Sequence, residues 1–434
     1  MEQNKTLLII YPHWFPANLA GVQRPRLIGN YLPELGWNVR VLTVKETYFE
    51  EKPDPDFEKL FASHFDTTRV DAFPVTNPRV IGDIGLRAFY QLYKEGLKVL
   101  KSESIDFMWL PIPSFYNALL GRLLYEKTRV PYGVDYIDPW VRDISNQNNL
   151  RAKVSQWFAR FLEPISIKKA SLISGVSAPY YTPALERNFP DIYEKNGRLK
   201  TLFRNPNTNE NLVQVAMPYG FDPNDHAVEI EGLKLPWSEI PECKPWIYAG
   251  AFLPNSHLFV DSLFQSIASL KKRDLWDPAI RLFFIGTGPY PAKRITAYAA
   301  DHGIEDIVIE DRERHPFLHI LNYLSKADKV MLIGSTEKHY TASKTFQCIL
   351  SKRPILAILH ELSSATGILK KCQANNYLVN YTENLNTEGL NMMIEDKLSD
   401  LQHIDEVAYN LLPLEEFTSY ESAKKLSIAI HSIL

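Results

Sequence analysis

The stretch HYTASKTFQCILSKRPILAIL, His339 to Leu359, sets a Ser-Lys pair where a helix begins and a glutamine one turn later on the same side. Ser343 suits an N-cap, because its hydroxyl can accept a backbone N–H of the first turn. Phe346, Ile349 and Leu350 fall at i, i+3 and i+4 and form one apolar stripe, which leaves Lys344, Gln347 and Ser351 on another face. Arg353-Pro354 ends the helix, and Ile355–Leu359 reads as a buried strand. A cation at a helix start adds to free N–H groups and a dipole that already favour negative charge, which is chemistry for holding an anion. An ordinary surface helix is the plain alternative.

Other polar groups stand at places where a chain turns. Gly21 lies in the first strand-to-helix loop, where a glycine lets backbone approach a ligand closely. Arg24 and Arg26 follow at the helix start and suit either a bound anion or a structural salt bridge. Asp138 ends a strand in DYIDPW, either as a helix cap or as a carboxylate offered to a ligand, and His13 follows the first strand. Gly286 and Gly288 in GTGP serve a turn equally well. No Asp-x-Asp pair stands beside a suitable loop, and no His/Cys/Asp cluster has metal-ligand spacing, so neither a metal nor a cofactor is expected.

Composition narrows the classes. The 434 residues are enough for two or three domains of roughly 150 each. At 45% hydrophobic and 12% aromatic they can build large cores. A net charge of −3 with no long charge run argues against a nucleic-acid partner. Cys243, Cys348 and Cys372 are scattered without a CxxC, which argues against a disulfide framework and fits a reducing compartment. The opening MEQNKTLLIIYPHWFP holds too short an apolar run for a signal peptide, and no stretch reaches the ~18 apolar residues of a membrane span. A cytoplasmic protein is expected, with room for contact at the membrane surface.

Apolar strands alternate with amphipathic helices along most of the chain. Strands are expected at Thr6–Tyr11, Val39–Val44, Asp106–Leu110, Tyr132–Ile137, Leu172–Val176 and Val213–Met217, with helices at Arg24–Leu35 and Ser114–Glu126. Asn188–Asn211 reads as polar and broken. The pattern restarts at Pro245, with strands at Trp246–Ala249, Ile280–Ile285, Ile307–Glu310 and Lys329–Ile333. Helices at Leu258–Leu270, Pro291–His302 and Pro316–Ser325 separate them, and a long irregular tail precedes a last helix near Thr418–Ile433. Continuous apolar strands between helices indicate parallel sheets covered on both faces. The fold class expected is therefore α/β, with two doubly wound Rossmann-like domains facing a cleft. The divisions are 1–220, a linker at 221–244, 245–415, and a terminal helix at 416–434 that crosses back to the first domain.

Five segments in this order resemble the family 4 glycosyltransferases, retaining enzymes of the GT-B fold. YPHWFPANLAGVQRPRLIGNYLPELGWNVRVLT is similar to the family's opening strand, glycine loop and helix, and VDYIDPW to its D-x-R-D-x-W segment. MPYGFDPND, FFIGTGP and HYTASKTFQCILSKRPILAI resemble its I-x-N-G-x-D, L-x-G-x-G-P and P-S-K-x-x-E-Y-x-x-x-G-x-P-I-L motifs. The resemblance implies a nucleotide-sugar donor and a glycan or lipid-linked acceptor, in cell-surface polysaccharide or glycoconjugate synthesis. It makes Lys344 the cation for the leaving diphosphate. It places His339 and Gln347 where the family carries two glutamates, one near the transferred sugar and one on the donor ribose. Asp138 would lie near the acceptor hydroxyl. Gly21, Gly250, Asn255, Gly286, Arg314, Thr341 and Ser343 would line the donor. The family's Arg and Lys after the first strand of the second domain are absent from YAGAFLPNSHLF, so Lys344 carries more of the charge.

Two segments mix aromatic and basic residues. Gly85–Leu100 carries Phe89, Tyr90, Leu92, Tyr93 and Leu97 among Arg87, Lys94 and Lys98; the other sets Trp157, Phe158 and Phe161 among Arg151, Lys153 and Arg160. Core packing of the aromatics with a solvated basic edge is expected of both, and a helix lying on an anionic membrane is the alternative. Two further readings of the whole chain stay open, a nucleotide-sugar 2-epimerase and a non-catalytic copy that binds a partner or glycan.

Overall fold

The computed structural model describes residues 4–77, 81–142, 150–252, 254–290, 293–336, 344–384 and 386–434. The chain divides into two compact units, Met1–Asp222 with Phe417–Leu434, and Pro223–Glu416.

The first unit is an eight-stranded sheet. Its strands are β1 (Lys5–Ile10), β2 (Trp37–Val44), β3 (Asp66–Val70), β4 (Phe107–Ile112), β5 (Tyr132–Tyr136), β6 (Leu172–Gly175), β7 (Leu202–Arg204) and β8 (Asn211–Ala216). The order is β3-β2-β1-β4-β5-β6-β8-β7, parallel except for β7. Strand β4 and the Leu7–Ile10 part of β1 run as apolar stretches because helices cover both faces, and every residue of β4 and β5 is buried, Asp135 of β5 included. The covering helices are α1 (Ala20–Gly29), α2 (Ile84–Arg87), α3 (Phe89–Ser102), α4 (Asn117–Thr128), α5 (Leu150–Ile167) and α6 (Ala178–Asn188).

The second unit has six parallel strands: β9 (Lys244–Ala249), β10 (Ile280–Ile285), β11 (Val308–Asp311), β12 (Lys329–Ile333), β13 (Ile355–His360) and β14 (Leu378–Tyr381), in the order β11-β10-β9-β12-β13-β14. Its helices are α7 (His257–Lys272), α8 (Ile295–Asp301), α9 (Phe317–Lys326), α10 (Lys344–Leu350), α11 (Ser364–Lys371) and α12 (Thr387–Leu401). The last helix, α13 (Ser419–His431), returns to the first unit. There Tyr420 meets Tyr31 edge-on, and Ser427 accepts the Trp37 indole N–H at 2.9 Å. Both sheets are thus doubly wound.

Several elements depart from the expectation. The helix expected at Arg24–Leu35 starts four residues earlier and stops at Gly29; Pro33 then opens a separate 3-10 turn closed by Gly36. The broken stretch 188–211 holds β7, which pairs with β8 at the sheet edge. The irregular tail contains α11, β14 and α12. The segment 221–244 is no free linker beyond Asp222: it packs on the second unit, where Asn322 donates to Val228 O and Trp237 meets Phe283 and Tyr323 edge-on. The two basic-aromatic segments also differ. In α3 the side chain of Leu92 is buried and Phe89, Tyr93 and Leu97 pack on the core, with Tyr90 outside. In α5 the expected core packing fails, since Trp157, Phe158 and Phe161 are all exposed. No helix among the described residues is long and apolar enough to cross a membrane.

Candidate functional site

The second unit gathers its polar groups where β9, β10 and β11 end. Lys344 opens α10 and lies back over β9: its Nζ stands 4.2 Å from the centre of the Tyr248 ring, donates to Tyr248 Oη at 2.9 Å and to Ala251 O at 3.1 Å. Gly250 makes this approach possible. Its φ of +114° belongs to glycine, and a Cβ there would fall 2.4 Å from Lys344 Cε. Burial pushes the Lys344 pKa down to about 8, and the neighbouring Cys348 thiol, pushed up to about 12 by its own burial, stays neutral beside it. Among the described residues no carboxylate pairs with Lys344. Two of its three ammonium protons are spent on neutral oxygens, and the third has no acceptor among the described residues. Gln347 follows at i+3, and its Oε1 is buried with no partner among the described residues.

The remaining donor candidates divide. Gly250 and Gly286 give their N–H groups to Ile285 O and Asp311 O, at 2.7 and 2.8 Å, so both serve strand-end turns and neither offers that N–H to a ligand. Asn255 is exposed, and its carbonyl accepts the Thr336 N–H at 3.1 Å. Arg314 is exposed, whereas Arg312, two residues earlier, turns inward: its guanidinium lies 4.8 Å over the Tyr290 ring and donates to Gly288 O at 2.9 Å. Tyr290, with Thr287, holds Glu310, which anchors this loop. The alternation after β11 puts Arg312 and Arg314 on the same parity, so a pattern of alternate residues could not separate them. His339, Thr341 and Ser343 lie outside the described residues.

The first unit carries a second polar cluster, at the ends of β1, β4 and β5. Tyr11 is buried beneath Gly21, whose missing side chain makes the space: a Cβ there would sit 1.9 Å from Tyr11 Oη. Burial, together with the charges of Asp83, Asp138 and Glu51, pushes the Tyr11 phenol pKa up. Asp83 caps α2 by accepting the Leu86 N–H at 2.7 Å and also accepts from Ser114 Oγ at 3.3 Å; burial raises its pKa. Asn117 opens α4 at 0% exposure, and neither polar atom of its amide has a partner among the described residues. Asp138 is half-exposed, with Arg142 3.8 Å away. His13 stands 3.7 Å from Glu51, and burial lowers its pKa. Tyr11, Asp83, Ser114 and Asn117 carry no motif. Only the meeting of three strand ends brings them together.

Arg24 and Arg26 are taken by the scaffold. Arg24 is bidentate to Asp135 at 2.9 Å for each bond and donates to Met217 O and Pro218 O. Arg26 is spent on Gln23 and Leu60 O, over the Phe57 ring. Both are 0% exposed, which removes them from any ligand. Among the described residues no three His, Cys, Asp or Glu side chains gather as a metal site.

No family model and no curated protein matches the chain. Solved structures do, at low identity. Anabaena HepE in complex with UDP and glucose is 13% identical with a TM-score of 0.59, over 99% of this chain and 100% of that one. A UDP-forming trehalose-phosphate synthase from Burkholderia xenovorans is 11% identical with a TM-score of 0.57, over 99% of each chain. A glycosyltransferase from Rickettsia africae is 14% identical with a TM-score of 0.53, over 99% and 93%. The likeness spans both units, and the fold of the chain is that of these proteins, GT-B, with two Rossmann-like α/β units.

Proposed function

We propose that the protein is a glycosyltransferase that moves a sugar, with retention, from a nucleotide-sugar donor to a glycan or lipid-linked acceptor. The observation that carries this reading is Lys344, a largely buried ammonium with a free proton and no counter-charge among the described residues. An unpaired buried cation costs stability, and a bound anion relieves that cost. In glycosyl transfer the bond from the anomeric carbon to the diphosphate oxygen breaks and its electrons stay on the leaving group. A fixed cation aimed at that oxygen is often the largest catalytic term. HepE was solved with UDP and glucose, which favours a uridine nucleotide.

In this assignment the second unit holds the donor, with Gln347 on the ribose. The first unit receives the acceptor hydroxyl at the cluster of Asp83, Ser114, Asn117 and Asp138. The reaction is proposed to run without a metal, in the cytoplasm at the membrane surface, in cell-surface polysaccharide or glycoconjugate synthesis. A non-catalytic reading rests on His339 and Gln347, which stand where the resemblance expects glutamates.

Thermal unfolding with UDP, GDP and ADP tests the donor site. Binding at 100 times the dissociation constant should add roughly 2.7 kcal/mol. Incubation with a panel of nucleotide sugars should then release nucleoside diphosphate, undiminished by a chelator. No shift with any of the three removes the donor site. A shift without release favours the non-catalytic reading.

A further inference from the structure

Helix α5 is built inside out. The side facing the sheet gives the core only Leu162 and Ile167 as large apolar residues and is otherwise small or polar: Gln156 accepts the Arg142 N–H at 2.7 Å, Ala159 and Ser166 are buried, and Glu163 is held by Arg187 and Tyr136. The side facing out carries Leu150, Val154, Trp157, Phe158, Phe161 and Ile165. Their spacing of three and four residues keeps them in one stripe. Leu150 is 75% exposed, Trp157 63% and Phe161 58%. The rings pack on one another, Trp157 stacked on Phe161 at 6.2 Å and edge-on to Phe158 at 5.0 Å. Lys153 and Arg160, seven residues apart on one rim of the stripe, are exposed. A run of apolar side chains of this length turned to solvent on a globular unit marks a surface that something covers.

We infer that α5 docks the protein on an anionic lipid bilayer, the aromatic stripe entering the headgroup boundary and the basic rim lying against acidic headgroups. Charge selects this occupant. Helices α3, α4 and α5 lie side by side and hold eight lysines and arginines against three glutamates, in a chain whose net charge is −3. A second copy of the chain, paired stripe to stripe, would bring two such basic layers together. A bilayer supplies the opposite sign, and a ridge one helix wide can sink into its deformable surface. The inference deepens the acceptor half of the proposed function, since a lipid-linked acceptor is met at that surface, and rests on that reading only there.

The full chain is floated with vesicles of mixed phosphatidylglycerol and phosphatidylcholine, and with phosphatidylcholine alone. Binding to the mixed vesicles should be tighter by about tenfold or more and should weaken with added salt. Trp157→Ser with Phe161→Ser should lower it by about tenfold, and Lys153→Glu with Arg160→Glu should do the same. Each pair should keep the wild-type melting temperature and the wild-type response to UDP. The inference is overturned if the wild type ignores mixed vesicles or if the serine pair binds them as well as wild type. It is equally overturned if sedimentation shows a wild-type dimer that the serine pair disperses, because a second copy then covers the stripe. Vesicle binding without any nucleotide response would leave this surface standing and remove the donor site alone.

Discussion

Arg24 in the first unit and Lys344 in the second are both cations shielded from water, and they are held in opposite ways. Arg24 spends its donors on a carboxylate and two carbonyls: Asp135 takes two bonds, and Met217 O and Pro218 O take the others. Asp135 is itself completed by Ser174 at 2.7 Å. Lys344 has a tyrosine hydroxyl, a tyrosine face and one carbonyl, and burial lowers its pKa with no carboxylate paired to it among the described residues. A guanidinium with its charge answered ties α1 to β5 and to the chain after β8. An ammonium with no carboxylate among the described residues is poised for a ligand. The two sites differ in whether the described residues supply a counter-charge.

The largest effect expected is on the scaffold side. Arg24→Met leaves Asp135 buried and uncompensated, and loss of one partner of a buried pair costs about 3–5 kcal/mol. Urea or thermal unfolding should show that drop, and adding Asp135→Leu should return most of it. Lys344→Ala removes a charge that no carboxylate among the described residues offsets and should melt no lower than wild type. If Arg24→Met unfolds like wild type, or Lys344→Ala collapses, the contrast between the two cations is wrong.

The next effect falls on chemistry. Lys344→Ala should lower sugar transfer by about 10²- to 10³-fold, the usual loss on removing one electrostatic stabiliser. The first unit should be untouched, so melting monitored through α1 and α13 stays as in wild type. Transfer at the wild-type rate would return Lys344 to a structural role.

The pH dependence sharpens the same comparison. The Lys344 pKa lies at about 8 in the fold against an ordinary 10.5. Between these values the unfolded chain binds the extra proton, so stability contributed through Lys344 rises with pH across that window. Affinity for UDP should move the other way. It should hold below pH 8 and fall above it, by up to about tenfold per pH unit, as the ammonium is lost. Calorimetric titration of UDP across this range checks the inflection, which Lys344→Ala should abolish. Tyr248 and Cys348 face the ammonium, and a neutral thiol at this pH leaves the inflection to the lysine.

What the sequence made legible follows from how far apart the deciding residues are. Strands such as Ile280–Ile285 and Lys329–Ile333 were readable to the residue, because a strand buried on both faces is mostly a continuous apolar run, here broken only by Arg281 and the leading Lys329. Edge strands were harder: β11 was read within one residue, but β3, which reads DTTRV, and β14, LVNY, were not, with polar residues that an edge tolerates. Lys344 was readable as a cation at a helix start. The pairing of Arg24 with Asp135 was not, since 111 residues separate them and only the β1-β4-β5 order brings them together. The aromatic and basic mix of α5 was visible but not its direction. An apolar face normally turns inward, and the exposure of Trp157, Phe158 and Phe161, with Gln156 and Glu163 bonded on the other side, shows that it does not.

The smallest effect expected is at Gln347, and it asks whether the unanswered cation belongs to a nucleotide site at all. Its Oε1 is buried without a partner among the described residues, one turn beyond Lys344 on α10. A carboxylate there accepts from sugar hydroxyls by charge-assisted bonds about twice as strong as the amide's. Gln347→Glu should therefore tighten UDP by about threefold to tenfold. It also places a negative charge at i+3 from Lys344, a pair worth about 0.2–0.5 kcal/mol on a helix, which should move the affinity inflection to higher pH. Inorganic pyrophosphate separates the two consequences, because it presents the phosphates without a ribose. Its affinity should stay level or weaken slightly beside the new carboxylate while that of UDP rises. If UDP and pyrophosphate weaken together, Gln347 faces the phosphates rather than the ribose. The glutamine then keeps a negative charge away from Lys344, and the resemblance to a ribose-binding glutamate fails at this position.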